Sequence, residues 1–193
     1  MRGVSIGIDV GTGSVTTAVV RREKNGEFRL LGVGKAPSEG MRKGAVSDPE
    51  ALSHSIKKSA HNASRISNIA VRSGVVAFGG ASIRSAPSRG VVAISRADGE
   101  ITGEDVKRSL QAAEALHPKS ANREIVHIHQ REFSVDGEGN IKNPVGMVGM
   151  RLEAEALIID GDKRSLQNLI KAFDLAGIDI DDLIFSPIAA SLA

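Results

Sequence analysis

Apolar residues recur along this chain in two rhythms, and the switches between them mark its elements. Residues 4–10, 15–22 and 28–36 are short apolar-rich runs bounded by turn formers, which predicts three β-strands. Lys24-Asn25-Gly26-Glu27 predicts a tight turn with left-handed backbone at Asn25 and Gly26, so the second and third runs pair as a hairpin and the chain opens as a three-stranded meander. The rhythm then lengthens. Leu52, Ile56, Ala60 and Ala63 recur at helical spacing behind Ser47-Asp48-Pro49, a cap followed by a proline at the first helical position. His54, Lys57, Lys58 and His61 fall on the opposite face and read as a solvated surface. Residues 68–78 return to the pattern of a buried strand.

From Gly79 onward the pattern is broken by Gly79-Gly80, Pro87, Gly90 and Gly99. A helix capped at Thr102-Gly103-Glu104-Asp105 buries Val106, Leu110 and Ala113 and ends near His117-Pro118, and strands follow around 125–135 and 147–159. After Asp160 a helix resumes over 163–176, with Leu166, Leu169, Ile170 and Phe173 inward and Gly177 as its stop, before a strand over 182–185. The middle segment therefore reads as an insertion, with 1–80 and 161–193 forming one α/β body and 81–160 an α+β subdomain inside it. Ser186-Pro187 opens a last apolar helix that stops without a polar tail, which predicts a piece of a longer protein.

Composition narrows the chemistry. The 193 residues contain no Cys, Trp or Tyr, which removes disulfides, thiol nucleophiles and Cys-ligated metals and suits a cytoplasmic protein. With 25 Lys+Arg against 23 Asp+Glu and 3% aromatics, there is neither the charge nor the stacking surface of a nucleic-acid binder. Met1-Arg2-Gly3 runs straight into the first strand, and no apolar stretch approaches a bilayer span.

The chemically suggestive segment is Ile8-Asp9-Val10-Gly11-Thr12-Gly13-Ser14. Gly11 and Gly13 are expected to take positive φ and admit a ligand close to the backbone, with amides converging on an anion and Thr12 adding a hydroxyl donor. Asp9 repels phosphate directly but suits the hydration shell of Mg²⁺. A Gly-Thr-Gly link between strands is also an ordinary hairpin turn, and both readings stand on these residues alone. There is no Gly-Lys-Ser/Thr, and a strand follows where a dinucleotide fingerprint would open a helix.

Two further clusters carry less. His127 and His129 alternate along one strand near Glu132, yet no further ligand converges with them. Asp179, Asp181 and Asp182 lack the spacing and terminal Glu of a calcium loop and read as a solvated turn. No catalytic residue is assigned.

Taken together, the chain resembles the actin, Hsp70 and sugar-kinase superfamily, with an actin-like (ribonuclease H-like) fold. Gly7-Ile8-Asp9-Val10-Gly11-Thr12-Gly13-Ser14 matches its first phosphate motif and would fit a sugar kinase as well. Three stretches turn the resemblance toward the FtsA family of bacterial division proteins: Gly40-Met41-Arg42-Lys43-Gly44-Ala45-Val46 with Asp48, Ile141-Lys142-Asn143-Pro144-Val145-Gly146-Met147 through Gly149-Met150-Arg151-Leu152-Glu153-Ala154, and Leu183-Ile184-Phe185-Ser186-Pro187-Ile188-Ala189-Ala190-Ser191.

The resemblance implies that 1–80 and 161–193 are subdomain 1A and 81–160 the inserted subdomain 1C. It also implies that ATP and Mg²⁺ are held in the full-length protein through Asp9, Gly11, Thr12, Gly13 and Ser14, with Asp9 reaching the metal through water. FtsA-like proteins assemble into filaments, tie FtsZ to the cytoplasmic face of the membrane through a C-terminal helix, and recruit later division proteins. The second phosphate loop, adenosine pocket, FtsZ-binding subdomain and membrane helix are not in this sequence, so this piece alone is expected to bind ATP weakly at most. Ser186 falls where actin and Hsp70 place Gln or Glu near the attacking water, and Gln130-Arg131-Glu132 replaces a Pro-Gln-Glu-type stretch; the first departure argues against efficient hydrolysis. The alternatives are the actin-like protein of type IV pilus assembly and a sugar or acetate kinase, against which the 81–160 insertion argues.

Overall fold

A computed structural model describes residues 3–80, 82–118 and 120–191. In chain order its elements are β1 (Val4–Val10), β2 (Ser14–Arg22), β3 (Phe28–Pro37), β4 (Met41–Arg42), β5 (Ala45–Val46), α1 (Pro49–Ser67), β6 (Ser73–Phe78), β7 (Ile83–Ala93), α2 (Gly103–Leu116), β8 (Arg123–Val135), β9 (Glu138–Ile141), β10 (Arg151–Asp162), α3 (Lys163–Ala176), β11 (Asp179–Phe185) and α4 (Ser186–Ser191). They form two compact units, Met1–Ile83 with Gly161–Ala193, and Arg84–Asp160. Ala81, Leu192 and Ala193, at the expected insertion boundary and in the last helix, lie outside the described residues.

The first unit is a mixed five-stranded sheet in the order β11-β6-β1-β2-β3. β1, β2 and β3 pair antiparallel, while β6 runs parallel to both β1 and β11. Alternation along β1 and β2 turns Ile8, Val10, Val15 and Val19 inward, and α1 meets them with Leu52, Ile56, Ala60 and Ala63. Two glycines let that helix sit down. A Cβ on Gly34 would stand 2.0 Å from the Ser59 carbonyl oxygen and 2.4 Å from the Ala63 nitrogen, and one on Gly32 would stand 2.8 Å from the Ser67 nitrogen. Below the contact, the Thr17 and Ser59 hydroxyls bond each other at 2.7 Å, and Ser59 Oγ donates to the Gly34 carbonyl at 3.1 Å. Buried hydroxyls are thus paired within the layer between sheet and helix.

The second unit is a four-stranded sheet in the order β7-β10-β8-β9, with α2 packed on one face. Ile101, Phe133, Val135, Leu152 and Ala154 form its main core, and Ala113, Ala156 and Ile158 continue it under α2. Val106 and Leu110 pack against this core while remaining half-buried. Thr102 and Asp105 form a capping box, and three hydrogen bonds hold the Asp105 carboxyl down at about 2: from the Thr102 hydroxyl first, then from Arg108 and the Thr102 amide. At the far end, Asp160 Oδ2 meets His117 Nε2 at 2.8 Å, and Arg123 binds both the Asp160 carboxylate and its carbonyl. Burial pushes the Asp160 carboxyl up, but His117 and Arg123 outweigh it and hold it below the usual carboxylate range.

Several local expectations are corrected. Only Gly26 of the Asn25-Gly26 pair is left-handed; the link is a wider loop in which Glu23 N–H donates to Glu27 O and the Asn25 side chain holds Glu27. The expected strand over 68–78 begins only at Ser73, because Asn68 is the left-handed C-cap of α1 and Ser67 and Ser64 bind the backbone of the connecting loop. The strand expected from Met147 begins at Arg151, since residues 146–149 pair with 99–101 instead. Ile170 lies at the edge of the α3 stripe, 42% exposed, whereas Leu166, Leu169 and Phe173 are buried.

Candidate functional site

The carboxyl ends of β1 and β6 and the start of α4 meet at an open cleft of about 410 Å³. Asp9, Val10, Gly11, Thr12, Lys43, Gly44, Gly79, Gly80 and Ser186 line it, all within the first unit. Its volume lies within the range typical of small-molecule sites.

Asp9 is the next-to-last residue of β1, between Thr16 of β2 and Ala77 of β6 in the sheet. The 7-residue β1 pairs on both sides, so its end is fixed while the Asp9 side chain stays exposed. Among the described residues one hydrogen bond reaches it, from Ser186 Oγ to Oδ1 at 3.2 Å. A carboxylate so lightly held keeps acceptor capacity for the waters of a hydrated cation.

Gly11, Thr12 and Gly13 connect β1 to β2 as a tight antiparallel link. Gly11 N–H donates to Ser14 O at 3.1 Å, which closes the turn, and Gly13 O accepts from Ser38 N–H at 3.2 Å, which ties it to the end of β3. Neither glycine takes positive φ, contrary to the sequence expectation. What the turn uses is the missing Cβ of Gly11, where one would stand 3.1 Å from Ser14 O; Gly13 faces open space with nothing within 4 Å, so a side chain there would meet no neighbour. The N–H groups of Thr12 and Gly13 have no hydrogen-bond partner among the described residues. The Thr12 hydroxyl accepts from Gly44 N–H at 3.1 Å, so in this structure it acts first as an acceptor. Two free amides beside a lightly held carboxylate fit a phosphate with its hydrated metal. Asp9, Gly11 and Thr12 line the cleft; Gly13 and Ser14 belong to the turn without lining it.

Lys43, Gly44 and the Gly79-Gly80 pair were not singled out as site residues by sequence reasoning. β4 and β5 are two residues each, too short to show a hydrophobic period, so the hairpin that carries Lys43 to the cleft left no pattern to read. The available signal was the Lys-Gly pair itself, two residues between Met41-Arg42 and Ala45-Val46.

The other clusters stand apart from the cleft. His127 is half-buried and His129 exposed on β8, and among the described residues no three of His, Asp and Glu gather as a metal site. Asp181 accepts from Ser73 Oγ at 3.0 Å and Asp182 from the Leu183 amide, so the acidic run organises the bulged start of β11. No described helix is long and apolar enough to cross a bilayer.

Comparison with known proteins bears on both units. A family model described as the SHS2 domain inserted in FtsA matches residues 80–160. The cell division protein FtsA of Borreliella burgdorferi is 40% identical over 192 residues, which is 100% of this chain and 46% of that protein. The Bacillus subtilis FtsA is 36% identical over 97% of this chain and 42% of its own length, and the Escherichia coli K12 FtsA 30% identical over 98% and 44%. The chain thus spans a little under half the length of these relatives. Among solved structures, a PilM-PilN type IV pilus biogenesis complex superposes with a TM-score of 0.64 over 97% of this chain and 49% of that one; at 16% identity this speaks to the actin-like fold alone. Similarity that runs the whole length of the chain, with the family's own insertion falling on residues 80–160, makes this chain a member of the FtsA family of cell-division proteins.

Proposed function

We propose that this chain is the first half of an FtsA-type scaffold that binds ATP once its second half completes the cleft. In this reading 1–80 and 161–193 form subdomain 1A and 81–160 subdomain 1C. The Thr12 and Gly13 amides, in a turn built on Gly11 and closed by Ser14, take the phosphate oxygens, and Asp9 holds Mg²⁺ through its water shell. The metal supplies charge neutralisation to the phosphates; the protein supplies the fixed donors. Ser186 orients the Asp9 carboxylate and, as a hydroxyl that is itself a poor base, is a weak candidate for activating water, so nucleotide serves assembly more than turnover. The complete protein polymerises, links FtsZ to the cytoplasmic face of the membrane at the division site and recruits later division proteins.

The observation that carries the reading is the meeting of Asp9, Thr12 and Ser186 at one cleft, beside a turn whose Thr12 and Gly13 amides are unbonded among the described residues. The test is calorimetric titration of MgATP into the full-length protein, with FtsZ recruitment to anionic vesicles followed in parallel. Saturable binding that Asp9→Asn weakens about ten-fold or more supports the reading. Vesicle recruitment of FtsZ with no nucleotide binding at all would remove ATP from it.

A further inference from the structure

Lys43 sits at an energetically poor place for a lysine. The hairpin of β4 and β5 pairs Arg42 with Ala45, leaving Lys43 and Gly44 as its two-residue link at φ 51° and 76°. Two successive left-handed residues make a turn whose preferred sequence is Asn-Gly, and a long unbranched side chain gains nothing there from its own backbone. Non-glycine residues held in the left-handed region concentrate where function demands them.

The surroundings fix this turn against the cleft. Gly44 N–H donates to Thr12 Oγ1 at 3.1 Å. A Cβ on Gly80 would stand 2.4 Å from Gly44 O and 2.7 Å from Gly44 Cα, so the two backbones touch. Met41 and Val46, on either side of the turn, line a small apolar pocket with Val10, Phe78, Leu166 and Leu169. Lys43 is thereby placed on the cleft wall with Asp9 and Thr12, and it is the one cationic side chain among the lining residues. No ion pair or hydrogen bond occupies it among the described residues.

We infer that Lys43 is a phosphate-binding residue of this site, a cation held by a left-handed turn so that it faces nucleotide phosphate opposite the turn that carries the Thr12 and Gly13 amides. The inference rests on the nucleotide reading above and adds to it the charge that two neutral amides do not provide. A lysine acts on phosphate as a point charge on a flexible stem, so its contribution tracks the charge of the ligand.

The experiment uses the full-length protein and three forms: native, Lys43→Asn and Lys43→Arg. Asparagine is the residue the turn prefers, so Lys43→Asn removes the charge while leaving the melting temperature unchanged or raised. The expected result is that Lys43→Asn weakens MgATP about ten-fold while Lys43→Arg stays within about three-fold of native, and that adenosine binding changes in neither. Native and Lys43→Asn proteins that bind MgATP equally would overturn the role of Lys43 and leave the cleft assignment standing. A native protein that binds neither MgATP nor MgADP would overturn both. An equal loss of MgATP and adenosine would assign Lys43 to the shape of the hairpin and also overturn the inference.

Discussion

The two units solve one packing problem in the same way and use their carboxylates in opposite ways. In each, a strand glycine lets a helix backbone close on the sheet. A Cβ on Gly34 would stand 2.0 Å from Ser59 O and 2.4 Å from Ala63 N, and one on Gly90 1.9 Å from Ser109 O and 2.3 Å from Ala113 N. In each, a serine hydroxyl bridges helix and sheet beside the contact, Ser59 to Gly34 O and Ser88 to Ala113 O. The carboxylates at strand ends differ. Asp160, near the end of β10, is buried and fully engaged by His117 and Arg123, whereas Asp9, near the end of β1, is exposed and receives one serine. A carboxylate that is locked stabilises its fold; one left lightly held keeps its lone pairs for a ligand.

The shared part of this comparison breaks first. Gly34→Ala and Gly90→Ala each force a methyl group into backbone atoms that cannot rotate away, and each is expected to cost about 3 kcal/mol or more in chemical denaturation. Similar losses in both would establish the common solution; a loss below about 1 kcal/mol in either would show that its helix can lift.

The contrast is sharpened by Asp160→Asn, which removes the charge that His117 and Arg123 both bind and is expected to cost on the order of 3 kcal/mol. The native carboxyl is held below its ordinary range, so its contribution is complete above that range and is lost as pH falls through the lowered value. Acid unfolding of Asp160→Asn is therefore less steep than that of the native chain.

Asp105→Asn tests the capping box within the second unit, with an expected loss of about 1 kcal/mol. Its carboxyl titrates at about 2 in the folded chain against an ordinary 3.8, so the loss is full above pH 4 and vanishes as pH falls through 2. The smallest stability effect belongs to Asp9→Asn, within about 0.5 kcal/mol, because exposure leaves little to lose. If Asp9→Asn cost as much as Asp160→Asn, the distinction between a structural and an available carboxylate would fail.

What could be read in advance follows from where the determinants lie. The meander, α1, α3 and the strand that follows Gly177 were legible because Asp48-Pro49, the Leu52 to Ala63 stripe and Gly177 act locally, whereas the parallel pairing of β11 with β6 was not. Asn68 misled because it is the left-handed cap of α1 and the loop after it bonds to Ser64 and Ser67, and residues 146–149 misled because their hydrogen bonds go to distant partners, Gly99 and Ile101 among them. At the site, Asp9 and Thr12 were legible as residue types, but not how the glycines serve them. Gly11 and Gly13 were read for φ, yet neither takes positive φ and only Gly11 matters for space, and Lys43 comes to line the same cleft as Asp9, more than thirty residues away, through a contact between Gly44 and Gly80 that no spacing reveals.

The place where the chain leaves the first unit and comes back has a consequence for genetic rearrangement. Asp162 N–H donates to Ser82 O at 3.2 Å, so the outgoing and returning strands are already hydrogen-bonded to each other at the boundary. A gene deleted between these two codons and rejoined through a short turn asks the remaining sheet to close only a hairpin-sized gap. The residues between Ser82 and Asp162 thus behave as a cassette: evolution or an engineer can exchange the inserted subdomain without re-solving the fold that carries the cleft.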